Sequence, residues 1–133
     1  MRFQVGVIGA TGYIARDYRQ EVRSTPDEAR IVALCARRPE RLRAAADEDG
    51  AELATNDWRA VVEHPDVNLV VVATPDALHY DVGMACAQRG KHVLCEKPVG
   101  RDARAAHRMW TASRDAGVSH NVPFWTRYVP AVA

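Results

Sequence analysis

Long apolar runs are missing from this chain. No stretch approaches the ~20 residues that a membrane-spanning helix needs, and the N-terminus enters an amphipathic strand directly rather than a signal-peptide pattern. Charge imbalance is missing too. The formal net charge is +1, so no overall field draws the protein to nucleic acid or to a membrane. Cysteine is sparse. Cys35, Cys86 and Cys95 cannot all pair, none forms C-x-x-C, and each sits inside an apolar pattern. They read as buried free thiols, which points to a reducing, cytoplasmic setting. The five histidines show no ligand spacing, so no metal site is expected. Internal repeats, linkers and low-complexity tracts are also missing. What remains is a chain of 133 residues, 47% apolar, enough for one globular core.

The chain is organised around its first strand and turn. Phe3 to Ile8 carries the β-branched and aromatic residues of a buried strand. Gly9, Ala10, Thr11 and Gly12 break it, and a helix can begin near Gly12, Tyr13 and Ile14. A strand, a glycine-rich turn and a helix make a pyrophosphate cradle. The turn lets the phosphate approach without meeting a Cβ, and the helix presents unpaired N–H groups and the positive end of its dipole. The spacing is G-x-x-G-x-x-A through Gly9, Gly12 and Ala15, rather than G-x-G-x-x-G, and a tight βα turn that binds nothing has the same look.

Strand and helix patterns then alternate. A helix is expected over Ile14–Ser24 with Arg16, Arg19 and Arg23 on solvent, then a strand over Ile31–Cys35. A helix follows from Pro39 to a cap at Gly50, with Leu42, Ala45 and Ala46 on one face. Further on come a short helix from Asp57 to Glu63, a strand over Val67–Ala73 and a helix from about Leu78 to Arg89. The chain continues with a strand over His92–Cys95, a helix from Asp102 to Gly117 with Ala106, Met109 and Trp110 inward, and a last strand over Ser119–Val122. This order predicts an α/β fold: a doubly wound parallel sheet with helices on both faces, three layers in all. Ligands of such sheets bind beyond the C-terminal strand ends. That singles out the segments Gly9–Gly12, Ala36–Arg38, Thr74–His79 and Glu96–Pro98.

Each has a chemistry. Folds that select NAD place an acid after the second strand to hold the ribose 2′-OH. Here Ala36 is followed by Arg37 and Arg38, with Arg41 nearby. Guanidiniums bind a 2′-phosphate that a carboxylate would repel, which favours NADP, with NAD as the alternative. A solvated charge cluster at a helix start has the same composition, although arginine there opposes the helix dipole. Ala73, Thr74, Pro75 and Asp76 form a stiffened exit from the strongest strand and can lie against the middle of a dinucleotide; Thr-Pro-Asp is also an ordinary helix entry, and His79 alone suits a structural role. Glu96 and Lys97 follow Cys95 directly. Lys97 offers a compact charge with three donors that can bind a substrate oxygen or polarise a carbonyl during hydride transfer; an exposed strand-end lysine is the plain alternative. The Lys97–Pro98 bond is a candidate for the cis form.

Together, Val-Gly-Val-Ile-Gly (5–9), Val-Val-Val-Ala-Thr-Pro-Asp-Ala-Leu-His (70–79) and Gly-Lys-His-Val-Leu-Cys-Glu-Lys-Pro (90–98) resemble the Gfo/Idh/MocA family of glucose–fructose oxidoreductase and inositol dehydrogenase. Phe124 to Pro130 resembles the segment by which family chains leave the nucleotide domain. The resemblance implies a Rossmann domain over 1–122, an exit segment over 123–133, and an NAD(P)-dependent oxidoreductase. Hydride would pass between nicotinamide and a sugar, cyclitol or related alcohol or ketone. Thr74, Pro75 and His79 match the family's loop beside the cofactor, and Lys97 matches the lysine between nicotinamide and substrate.

Three departures stand out. The glycine spacing is one residue longer than usual, the acid after the second strand is missing, and the chain ends at Ala133 while the family continues into a second domain holding the catalytic histidine. His107 and His120 lie on the wrong elements to replace it. The 133 residues alone are therefore expected to bind cofactor better than they turn over substrate. A non-catalytic NADP-binding sensor module is the alternative, and a homo-oligomer through apolar surface near Val122 to Val132 stays open. Gly9 to Ala15 also resembles short-chain reductases and epimerases, but Tyr13, Tyr18, Tyr80 and Tyr128 all lack the lysine four residues on.

Overall fold

The computed structural model describes residues 2–124, 126 and 130. The expectations for the exit segment and for self-association near Val122 to Val132 therefore fall largely outside the described residues. Six parallel strands form one sheet: β1 (Phe3–Ile8), β2 (Ala29–Cys35), β3 (Leu53–Thr55), β4 (Leu69–Val72), β5 (His92–Cys95) and β6 (His120–Asn121). Their order across the sheet is β3-β2-β1-β4-β5-β6. The order reverses between β1 and β4, and doubly wound sheets open a ligand crevice at such a reversal.

The helices are α1 (Tyr13–Ser24), α2 (Pro39–Asp49), α3 (Trp58–Glu63), α4 (His79–Gln88) and α5 (Ala103–Asp115), with a 3₁₀ turn at Asp76–Leu78 before α4. Central strands are apolar on both sides because both faces are covered. On one face Val5, Val7, Leu34 and Val71 pack with Ala15 of α1 and with Leu42, Ala45 and Ala46 of α2. On the other, Ile8, Val32, Val70, Val72 and Val93 pack with Val61 and Val62 of α3 and Val82 and Cys86 of α4.

Three expectations need correction. Arg19 is not on solvent: it is 5% exposed. It lies one helical turn after Ala15, on the buried face of α1, and the carboxylates of α2 meet it there. Trp110 is not inward but 52% exposed. The buried line of α5 is Met109 and Ser113, and Trp110 stands about 100° round from Met109. Trp110 instead sits beside His107, with Arg114 over its ring at 4.9 Å. The third is a strand with no sequence signal, β3, which pairs with the C-terminal half of β2.

All three cysteines are buried and free. Burial pushes the Cys35 thiol up to about 11, helped by the negative charge of Asp57. Burial likewise pushes Cys86 and Cys95 to about 12. Since the thiolate is the nucleophile, iodoacetamide at pH 8 is expected to leave the native chain unmodified and to label all three thiols after denaturation. Mass spectrometry reads the difference; rapid labelling of native Cys86 would contradict this packing.

Candidate functional site

The phosphate turn follows from local geometry. Gly9 has φ +87°, a region L-residues avoid. Its N–H and that of Ala10 both donate to the Cys35 carbonyl, at 2.9 and 3.0 Å, so the turn is pinned to the end of β2. A Cβ on Gly9 would lie 2.3 Å from the Ala73 carbonyl oxygen, so the turn also presses on the end of β4. Gly12 caps α1 without a side-chain hydrogen bond, and the first turn of α1 has no acid. The helix therefore presents its N–H groups and positive dipole end uncompensated by side chains. Gly9→Ala is expected to cost at least ~2 kcal/mol through strain and clash. Gly50→Ala, with φ +64° but nothing within 4 Å, is expected to cost only about 1 kcal/mol. Urea denaturation compares the two, and equal losses would contradict the contact at Ala73.

Beside the turn opens a cavity of about 380 Å³. Gly9, Thr11 and Gly12 form one wall; Ala36, Arg37 and Arg38 after β2 form another; Ala73, Thr74 and Pro75 after β4 form a third. Asn56 and Trp58, just beyond β3, also line it, with Leu78 and the strand-end residues Ile8 and Cys35. Among the described residues neither Arg37 nor Arg38 pairs with a carboxylate, whereas Arg19, Arg23, Arg30 and Arg89 all do. The Thr74 hydroxyl is buried without a hydrogen-bond partner, a cost that a bound polar ligand would remove.

The other expected site residues lie outside this cavity. Ala10 is fully buried under the turn. Tyr13 is 85% exposed and Ile14 37% exposed at the start of α1, and Asp76 opens the exposed 3₁₀ turn. His79 is fully buried. One ring nitrogen lies 2.8 Å from the Pro98 carbonyl and the other 2.9 Å from the Thr74 carbonyl. It ties the loop after β4 to the loop after β5 rather than facing the cleft. Glu96 and Lys97 follow β5, whose last residue Cys95 pairs with Val72 at the end of β4. Lys97–Pro98 is cis, as the sequence allowed. The chain has two lysines. The Lys91 ammonium is held by the His64 and Val67 carbonyls, and burial lowers its pKa. Lys97 is exposed, and its ammonium has no partner among the described residues.

Asn56 and Trp58 were missed with the strand that delivers them. The sole signal was the Asp57 cap, whose side chain accepts the Arg59 N–H. Among the described residues no group of three His, Cys, Asp or Glu side chains forms a metal cluster, and no helix is long and apolar enough to cross a membrane.

An uncapped helix start, two unpaired guanidiniums and an unpartnered buried hydroxyl surround one cleft at the strand-order reversal. Their donors suit a phosphate-bearing dinucleotide, and fold and cleft together define a nucleotide-binding Rossmann domain. Residues 3–124 match the family model described as an oxidoreductase family with an NAD-binding Rossmann fold; the chain belongs to this Gfo/Idh/MocA family. It is 41% identical over 95 residues to levoglucosan dehydrogenase of Pseudarthrobacter phenanthrenivorans, covering 71% of this chain and 24% of that protein. It is 31% identical over 133 residues to trans-1,2-dihydrobenzene-1,2-diol dehydrogenase of Bos taurus, covering 99% of this chain and 39% of that one. Among solved structures, levoglucosan dehydrogenase in complex with NADH and levoglucosan superposes with a TM-score of 0.87 at 32% identity, covering 100% of this chain and 38% of that chain. The chain thus spans less than two fifths of the length of these relatives.

Proposed function

We propose that this chain is the nucleotide-binding part of an NAD(P)-dependent oxidoreductase, NADP-preferring, that acts on a sugar, cyclitol or related alcohol or ketone. Residues 1–122 form the nucleotide domain and 123–133 lead out of it. The observation that carries the cofactor preference is the pair Arg37 and Arg38 on the cleft wall without acidic partners. An adenosine 2′-phosphate placed there meets guanidiniums able to bind it bidentately, while a bare ribose finds no carboxylate.

Gly12 and the start of α1 hold the pyrophosphate, and Thr74 donates its unpaired hydroxyl to the bound dinucleotide. Lys97, at the neighbouring strand end, presents its ammonium to the substrate oxygen and stabilises negative charge there. When bound, the nicotinamide supplies or accepts the hydride; the protein supplies orientation and electrostatics. The dehydrogenase relatives named for an anhydrosugar and a diol support the substrate class.

Isothermal titration with NADPH and NADH tests the reading. NADPH is expected to bind on the order of tenfold tighter or more. Equal or tighter binding of NADH would overturn the preference, and binding of neither would overturn the cofactor site.

A further inference from the structure

Tyr18 sits in the second turn of α1, the helix whose start forms the phosphate cradle. Its hydroxyl donates to Glu96 Oε1, across 78 residues of sequence. The other carboxylate oxygen, Oε2, accepts the backbone N–H of Lys97 at 3.2 Å. One carboxylate is therefore shared by a side chain of the dinucleotide-binding helix and the main chain of the lysine. Both of its oxygens are engaged within the protein, so Glu96 reads as a bracket rather than a free ligand group.

Resting on the nucleotide-binding reading above, we propose that Tyr18 is a positioning residue that, through Glu96, holds Lys97 in register with the phosphate-binding end of α1.

The chemistry of the pair fits a permanent bracket. Burial, the hydrogen bond to Glu96 and the negative charge of that carboxylate all raise the Tyr18 phenol well above its ordinary range. It remains a protonated donor throughout the working pH range, and a hydrogen bond to a carboxylate is stronger than one between neutral groups. Phenylalanine has the same ring and no donor, so Tyr18→Phe removes the link while keeping the packing. Nothing in the sequence around Tyr18 signals this role, because its partner is brought to it by the sheet.

The test uses the ¹⁵N-labelled chain and 2′-phosphoadenosine 5′-diphosphate, which carries the adenosine, 2′-phosphate and pyrophosphate of NADP but neither the second ribose nor the nicotinamide. In the parent chain, this ligand is expected to shift the Lys97 amide resonance although it ends at the pyrophosphate, short of the lysine. In Tyr18→Phe its affinity is expected to stay within about twofold, while the Lys97 shift falls by more than about half. An unchanged Lys97 shift in Tyr18→Phe would overturn the bracket while leaving the cofactor site intact. Failure of this ligand to bind the parent chain would overturn the cofactor reading and the bracket with it. If Tyr18→Phe loses its dispersed spectrum, Glu96→Leu serves instead. Leucine has no oxygen to accept from either Tyr18 or the Lys97 N–H, so the transmitted shift is again expected to fall, and its persistence would overturn the proposal.

Discussion

Arg37→Asp is expected to invert the cofactor preference. The substitution removes a guanidinium from the cleft wall and supplies the carboxylate that NAD-selective folds use to hold the ribose 2′-OH. Loss of a charge-assisted hydrogen bond of about 1.5–3 kcal/mol, with added repulsion of the 2′-phosphate, corresponds to a fall in NADPH affinity on the order of 100-fold. NADH, with no phosphate to repel, should bind as well as before or better. Arg38 shares the wall, so Arg37→Asp with Arg38→Ala should give the larger change. Arg38→Ala alone should weaken NADPH without improving NADH. Dissociation constants for both cofactors, measured across these variants at one ionic strength, check the prediction, because phosphate–arginine contacts at an exposed cleft are salt-sensitive. An unchanged NADPH to NADH ratio in Arg37→Asp would remove that residue from the specificity argument.

Arg19→Met is expected to cost about 3 kcal/mol of folding stability, the lower end of the range for breaking a buried ion pair. The Arg19 guanidinium bonds Asp49, Glu48 at 2.6 Å and the Ala45 carbonyl at 3.2 Å, and reaches the Ala10 carbonyl at 3.5 Å. Burial works against its charge, but the pairs with Asp49 and Glu48 outweigh that and hold its pKa above the usual value. The Asp49 side chain is itself 0% exposed, so removing Arg19 strands a buried carboxylate. Arg23, which also pairs with Asp49, keeps the loss from being larger. Replacing Arg19 and Asp49 together with apolar residues should restore part of the loss, since a well-packed apolar pair avoids both desolvation costs. Urea unfolding with unchanged m-values reads the differences; a loss below ~1 kcal/mol in Arg19→Met would show that the network is only a surface one.

How much of this was readable from residue order depends on the range of the interaction. The Gly9 turn, the apolar strand expected over Val67–Ala73 and the His92–Cys95 strand were legible because each is set by local pattern; the structure has all three, the second shortened to Leu69–Val72. The parallel sheet followed from alternation. Strand β3 was not legible: Leu-Ala-Thr is too short for periodicity, and its pairing with β2 decides it. Asn56 and Trp58 were lost from the site for that reason. Arg19 was misread because helical spacing alone cannot show that acids of α2 arrive over it, and the Trp110 error came from choosing the wrong side of one helix. The site residues divide the same way. Arg37, Arg38, Thr74 and Pro75 line the cleft because strand ends place them there. His79 and Glu96 were recognisable by position, but their bonds to Pro98, Thr74 and Tyr18 are tertiary facts.

The central claim is that four strand ends converge on one dinucleotide. Chemical-shift mapping of the ¹⁵N-labelled chain with NADPH tests it directly. The account predicts that the largest amide shifts gather at residues 9–12, 36–38, 73–74 and 96–97, saturating together at one-to-one stoichiometry. Shifts confined to surface arginines elsewhere, such as those of α5, or a spectrum that NADPH leaves unmoved, would contradict it.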